Sequence, residues 1–254
     1  MMAEQTRRYL IIRPPSAEII DAHVHIGAWP EFGLDFELQD LEAIMAQYGY
    51  SGAVVMPALV GNRGEANQLL MKQVANDSRF YFFAWVNGTT TRAELDSYLP
   101  TIRGLKFHAS ISRTGIYEGR MRSALEWADR HTMPFLYHAG RTPISWPSKL
   151  MAIAPSYSKV KFIMAHLGGN AYDRIVDTLQ QWPTLPENVW VESSTARHPD
   201  LLLRAIAQWG EDRVLFGTDL PFTDQRLNFD CLRYAGLLED EKFMGGNLLR
   251  LLKQ

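Results

Sequence analysis

The chain has 254 residues, 46% hydrophobic and 21% charged, with a formal net charge of -2. Those proportions suit a globular protein with a sizeable core and offer no basic stripe for nucleic acid. No run approaches the ~18 apolar residues that span a bilayer, so no membrane partner is expected.

In chain order, the opening MMAEQTRRYLIIRPPS carries an apolar stretch too short for a signal-peptide core. Residues 1–18 read as an N-terminal extension that caps a barrel floor or is disordered, and 19–254 as one domain. Short apolar runs follow at 19–25, 52–56, 80–86, 104–107, 134–138, 161–165, 189–191 and 214–217, giving eight candidate strands. Between them lie helix-length segments at 40–48, 65–76, 118–131, 173–181 and 200–210. In MRSALEWADRH, Met121, Leu125 and Ala128 recur at the spacing of one helix face. Such alternation predicts a parallel sheet with right-handed crossovers. Eight repeats in this length favour a single-domain α/β fold, a distorted (β/α)8 TIM barrel, over an open doubly wound sheet. The one cysteine, Cys231, allows no intrachain disulfide, which fits a reducing cytoplasm.

Chemistry-bearing residues gather at the ends of these runs. In IIDAHVHIG, strict alternation puts Asp21, His23 and His25 on one face and Ala22, Val24 and Ile26 on the other. His138 closes PFLYH, His166 closes KFIMAH, and Asp219 follows VLFGT. In GLKFH, Lys106 and His108 share a face with Gly104, away from Leu105 and Phe107. Five of the seven histidines thus stand where a barrel keeps its active site, against about one expected from random scatter. Imidazole nitrogen and carboxylate oxygen bind borderline divalent metals such as zinc. A bound metal can bring water from pKa 15.7 to about 7, and Asp219 could take the proton.

The ordered pieces DAHVHIG, GLKFH, YHAG, AHLGG, NVWVESS, GTDLPF and GGNLLRLL resemble the amidohydrolase superfamily of metal-dependent hydrolases. More narrowly, they are similar to the branch that includes aminocarboxymuconate-semialdehyde decarboxylase-like enzymes. The resemblance implies one divalent metal, zinc in first place, held by His23, His25, His138 and Asp219. It implies catalytic roles for Asp219 and His166, and it makes Lys106 the candidate for a carboxylated bridge to a second metal. The activity it implies is hydrolysis of an amide, lactone or ester carbonyl by metal-activated water. A non-oxidative carboxy-lyase on an unsaturated or aromatic carboxylate is the alternative, and a non-catalytic metal-stabilised barrel the second.

For the substrate, a small molecule, the candidate contacts are Arg141, His108 and Trp29, with Arg197 a further carboxylate clamp. Trp146 and Phe222 are candidates for an apolar wall, and Glu192 for orienting a ligand histidine. His131 reads as a cation at a helix C-terminus, and His198 as a loop residue near the site. Specificity is expected in the loops 28–36 and 141–147. Barrels often pair through loops or outer helices, which makes a homodimer one expected assembly.

Overall fold

The computed structural model describes residues 17–58 and 62–253, so nearly all of the expected extension at 1–18 lies outside the described residues. The strands are β1 (Ile19–Trp29), β2 (Leu34–Phe36), β3 (Tyr50–Pro57), β4 (Phe80–Val86), β5 (Ile102–Phe107), β6 (Pro134–Tyr137), β7 (Lys161–Met164), β8 (Val189–Glu192) and β9 (Val214–Leu215). They pair in the order β2-β1-β3-β4-β5-β6-β7-β8-β9, parallel throughout except for β1 with β2.

The sheet closes on itself, a point the sequence pattern leaves open. Beyond β9 the chain runs alongside β1. Ala22 N–H donates to Phe216 O (3.0 Å), Asp219 N–H to His23 O (2.8 Å) and His25 N–H to Leu220 O (2.8 Å). A single-domain TIM barrel results, distorted where β9 shrinks to two residues.

Two expectations need correction in β1. The strand continues to Trp29, and Ala28 and Trp29 pair antiparallel with Asp35 and Leu34. Much of the expected 28–36 loop is therefore a hairpin. Nor do the faces alternate strictly. The register shifts between Asp21 and Val24, so Ala22 joins the barrel interior while Val24 and Ile26 pack outward under the helices. A bulge of this kind adds a residue and re-aims the side chains after it. Asp21 consequently turns to the closing segment, where it accepts hydrogen bonds from His23 N–H (2.9 Å), Thr218 N–H (3.0 Å) and Thr218 Oγ–H (2.6 Å).

The five expected helices are present, with small shifts, as Leu38–Tyr48, Arg63–Val74, Arg122–Arg130, Tyr172–Gln181 and Pro199–Trp209. The described residues also form helices at Arg92–Tyr98, Ala109–Ser112, Pro147–Ile153, Gln225–Ala235 and Asn247–Lys253. Four of these have seven residues or fewer, too short to develop a helical period. Gln225–Ala235 has eleven, and its buried Phe229 and Leu232 were legible at helical spacing.

Inside the barrel, Ile20, Val54, Phe83, Leu136, Ile163 and Leu215 form a plug that Leu248 and Leu251 of the last helix extend at the floor. Polar groups are thereby left to the opposite, C-terminal mouth. Gly104 is one requirement of this packing, since a Cβ there would come within 2.5 Å of the buried Phe83 ring. Gly104→Ala should cost about 1–3 kcal/mol through overpacking. The Tm should drop by about 3–10 °C with metal content intact; an unchanged Tm would show that the ring simply swings aside.

Candidate metal centre

After the bulge, β1 delivers His23 and His25 to the barrel mouth, and the closing segment delivers Asp219 beside them. His23 Nε2 lies 3.1 Å from His25 Nε2 and 3.3 Å from Asp219 Oδ1, and His25 Nε2 lies 3.4 Å from the same oxygen. Ligand atoms about 2.1 Å from a tetrahedral ion are about 3.4 Å apart, so this triangle fits one face of a divalent ion's shell. Two imidazole nitrogens this close, both facing a carboxylate, are a poor hydrogen-bonding arrangement and a good ligating one. The residues present fit a divalent metal.

The surroundings prepare these atoms to ligate. Burial, reinforced by the Lys106 charge, pushes both His23 and His25 down, which keeps them neutral. Asp219 stays ionised: burial opposes this, but the contact with the His25 ring and the nearby Lys106 charge hold its carboxyl below the usual range. Glu192 Oε1 lies 3.1 Å from His23 Nδ1. With a proton on Nδ1 donated to that carboxylate, the His23 Nε2 lone pair faces the triangle.

Glu192 does more than orient one ring. Its Oε1 also accepts His166 N–H (3.0 Å) and Ser194 Oγ–H (2.7 Å), while Oε2 accepts Ser194 N–H (2.6 Å). A Cβ at position 217 would come within 2.5 Å of Oε2, so Gly217 leaves room for the carboxylate. Ser194 Oγ in turn accepts from His166 Nδ1 (2.7 Å), and His166 Nε2 meets His138 Nδ1 at 3.0 Å. Burial pushes His166 down to about 4. Both His166 and Asp219 adopt left-handed φ values, 61° and 62°. Non-glycine residues pay about 1–3 kcal/mol for such backbone, and it concentrates at functional sites.

The expected residues do not all meet. His23, His25 and Asp219 converge; His138 stands one ring away, reached through His166 and stacked on His108 at 3.6 Å. Lys106 is buried at the centre, with Nζ 2.8 Å from His23 Nε2, and burial pushes its amine down to about 8 against the pull of Asp219 and Glu192. A second grouping among the described residues, His23, His166 and Glu192, shares the His23 ring.

Above the triangle opens a cavity of about 450 Å³. Trp29, Phe32, Trp85 and Phe222 form an aromatic wall, and His108, Arg197 and His198 add polar groups. Arg141 corrects one expectation: both arginines are exposed, but Arg197 lines this cavity and Arg141 does not. Trp146 likewise lies away from it, under the guanidinium of Arg174 at 5.5 Å. His131 caps the helix Arg122–Arg130 and packs on Trp127. Sequence reasoning missed Trp85, Ser194 and Tyr172. Trp85 was readable by alternation with Tyr81 and Phe83; its position is secured by Asn67, which accepts from its N–H (2.8 Å) and donates to its C=O (2.9 Å).

Comparison with known proteins gives a consistent picture. The family model described as "Amidohydrolase" matches residues 20–253. Among solved structures, 5-carboxyvanillate decarboxylase from Sphingomonas paucimobilis is similar at TM-score 0.73 and 13% identity, covering 94% of this chain and 99% of that one. A probable 2-pyrone-4,6-dicarboxylic acid hydrolase from Acinetobacter baumannii gives 0.70 and 15%, covering 93% and 100%. An amidohydrolase from Burkholderia multivorans with bound zinc gives 0.73 and 15%, covering 93% and 99%. At these identities the likeness is one of fold. Curated proteins yield no match.

Proposed function

Because this chain belongs to the amidohydrolase family, we propose that it is a metal-dependent hydrolase acting on a small, planar, carboxylate-bearing lactone, ester or amide. The observation that carries this is the convergence of His23, His25 and Asp219 beneath an aromatic-walled cavity. His138 is proposed as a further ligand, adjusting across its contact with His166. A divalent ion here, zinc by ligand type, would supply Lewis acidity and lower the pKa of water to about 7.

The chain's own groups account for the rest. The Trp29, Trp85 and Phe222 rings exclude bulk water and grip a flat substrate by its faces. Arg197 pairs with its carboxylate through a planar fork. Asp219, ionised and at the cavity floor, takes the proton from water and returns it to the leaving group. Glu192 and Ser194 hold the His23 and His166 rings in one orientation throughout.

A carboxy-lyase reading is favoured by the same aromatic slot with Arg197 at its edge, since such a slot also suits an aromatic carboxylate. Incubation with lactones, esters and aromatic carboxylates in 18O-labelled water separates the two. Label entering the product without carbon dioxide supports hydrolysis; carbon dioxide without label supports the lyase. Elemental analysis should find about one divalent ion per chain, lost in His23→Ala. Retention of metal by that variant would remove the basis of both readings.

A further inference from the structure

We propose that His108 is a fixed hydrogen-bond donor to the substrate, presenting Nε2–H to a carbonyl or carboxylate oxygen in the cavity. This rests on the reading of a planar, carboxylate-bearing substrate and adds to it the group that polarises or positions one oxygen.

The argument begins with the other nitrogen. His108 Nδ1 accepts a hydrogen bond from the Ile111 backbone N–H at 3.3 Å. A ring nitrogen that accepts must carry a lone pair, so the single proton of the ring resides on Nε2. The ring cannot easily turn to exchange its edges. His138 stacks on one side at 3.6 Å with 13° between planes, and Trp85 lies parallel at 6.3 Å with 6°. A half turn in that sandwich would put carbon where Nδ1 is and forfeit the bond to Ile111.

His108 lines the cavity, and among the described residues no protein acceptor meets its Nε2. The indole N–H groups of Trp29 and Trp85, residues that line the same cavity, are buried without a partner. Unsatisfied buried donors are costly, about 1–3 kcal/mol each, and rare outside functional sites. An Nε2–H that faces the cavity and meets no protein acceptor is complementary to a ligand that brings one. Asp219 is the acceptor and proton carrier of this site; His108 is the neutral donor, with no proton transferred.

The test uses zinc-loaded, 15N-labelled protein and benzoate as the probe. Long-range 1H–15N spectra, with His108 assigned by its loss in His108→Phe, should show the proton on Nε2. Saturating benzoate should move that resonance. His108→Phe, which keeps the aromatic stack, should weaken benzoate binding about tenfold, and His108→Gln, whose amide also donates, should recover it to within about threefold. A proton on Nδ1 overturns the proposal. Benzoate that quenches indole fluorescence but leaves His108 unmoved, with full affinity in His108→Phe, overturns the donor role and spares the substrate class. Benzoate without effect on either signal overturns both.

Discussion

Asp219→Asn should leave the barrel folded and lower kcat by about 10³-fold, the middle of the range for losing a positioned proton carrier. The fold should survive because the backbone of residue 219, not its side chain, closes the sheet: its N–H donates to His23 O at 2.8 Å. The amide is nearly the same size, so the wall of the cavity is preserved. What disappears is the negative charge shared by the two β1 imidazoles at 3.3 and 3.4 Å, and with it the capacity to accept a proton. Steady-state rates on whichever substrate the labelled-water screen identifies, alongside far-UV circular dichroism, measure both parts. Undiminished turnover in a folded variant would refute the role given to Asp219.

A second large effect is expected from acid on the metal-stripped protein. Five imidazoles, the buried His23, His25 and His166 and the half-buried His108 and His138, are all pushed below 6.5, chiefly by burial, His108 to about 2 and His166 to about 4. Such groups stay neutral when folded and take up protons when unfolded, so their stabilising contribution is present above pH 6.5 and lost as pH falls. Burial pushes Asp21 and Glu192 the other way, each up to about 7. Those two favour the folded state below their ordinary values of 3.8 and 4.5, and that preference fades as pH rises through about 7.

Between about pH 4.5 and 6, then, the imidazoles outnumber the two carboxyls, and the unfolded chain binds more protons than the folded one. Stability should fall as pH drops across that window, by about 1.4 kcal/mol per pH unit for each proton by which the unfolded chain is richer, and level off above about pH 7. Urea midpoints of chelator-treated protein at pH 5, 6.5 and 8 measure the slope. A flat profile would show that the histidine cluster is solvated or already charged.

How much of this was legible varies from residue to residue. Strand–helix alternation exposed the barrel because a parallel strand buried on both faces must be a short apolar run, and its crossover must be an amphipathic helix. The same logic brought His23, His25, His108, His138, His166 and Asp219 to notice, since imidazole and carboxylate at strand ends break an otherwise apolar pattern. Glu192 was found that way too, and it is the residue that locks His23. Ser194 was not found, because a serine after a strand has many ordinary uses.

What lay beyond the sequence is whatever depends on two distant segments meeting. Asp21 and His23 were assigned to one face by alternation, but pairing with β3 inserts a bulge between Asp21 and Val24, and no local pattern encodes a partner's register. Arg141 and Arg197 looked equivalent as loop arginines, and both are exposed; only the paths of their loops bring the second to the cavity and keep the first away from it. Local chemistry and periodicity are carried by neighbours along the chain, so the order of residues 19–254 was enough to reveal fold class, ligand types and the mouth of the barrel. Distances of about 3 Å between His23, His25, Asp219 and Glu192 arise only when β1, β8 and the segment after β9 close the sheet, because long-range packing sets them.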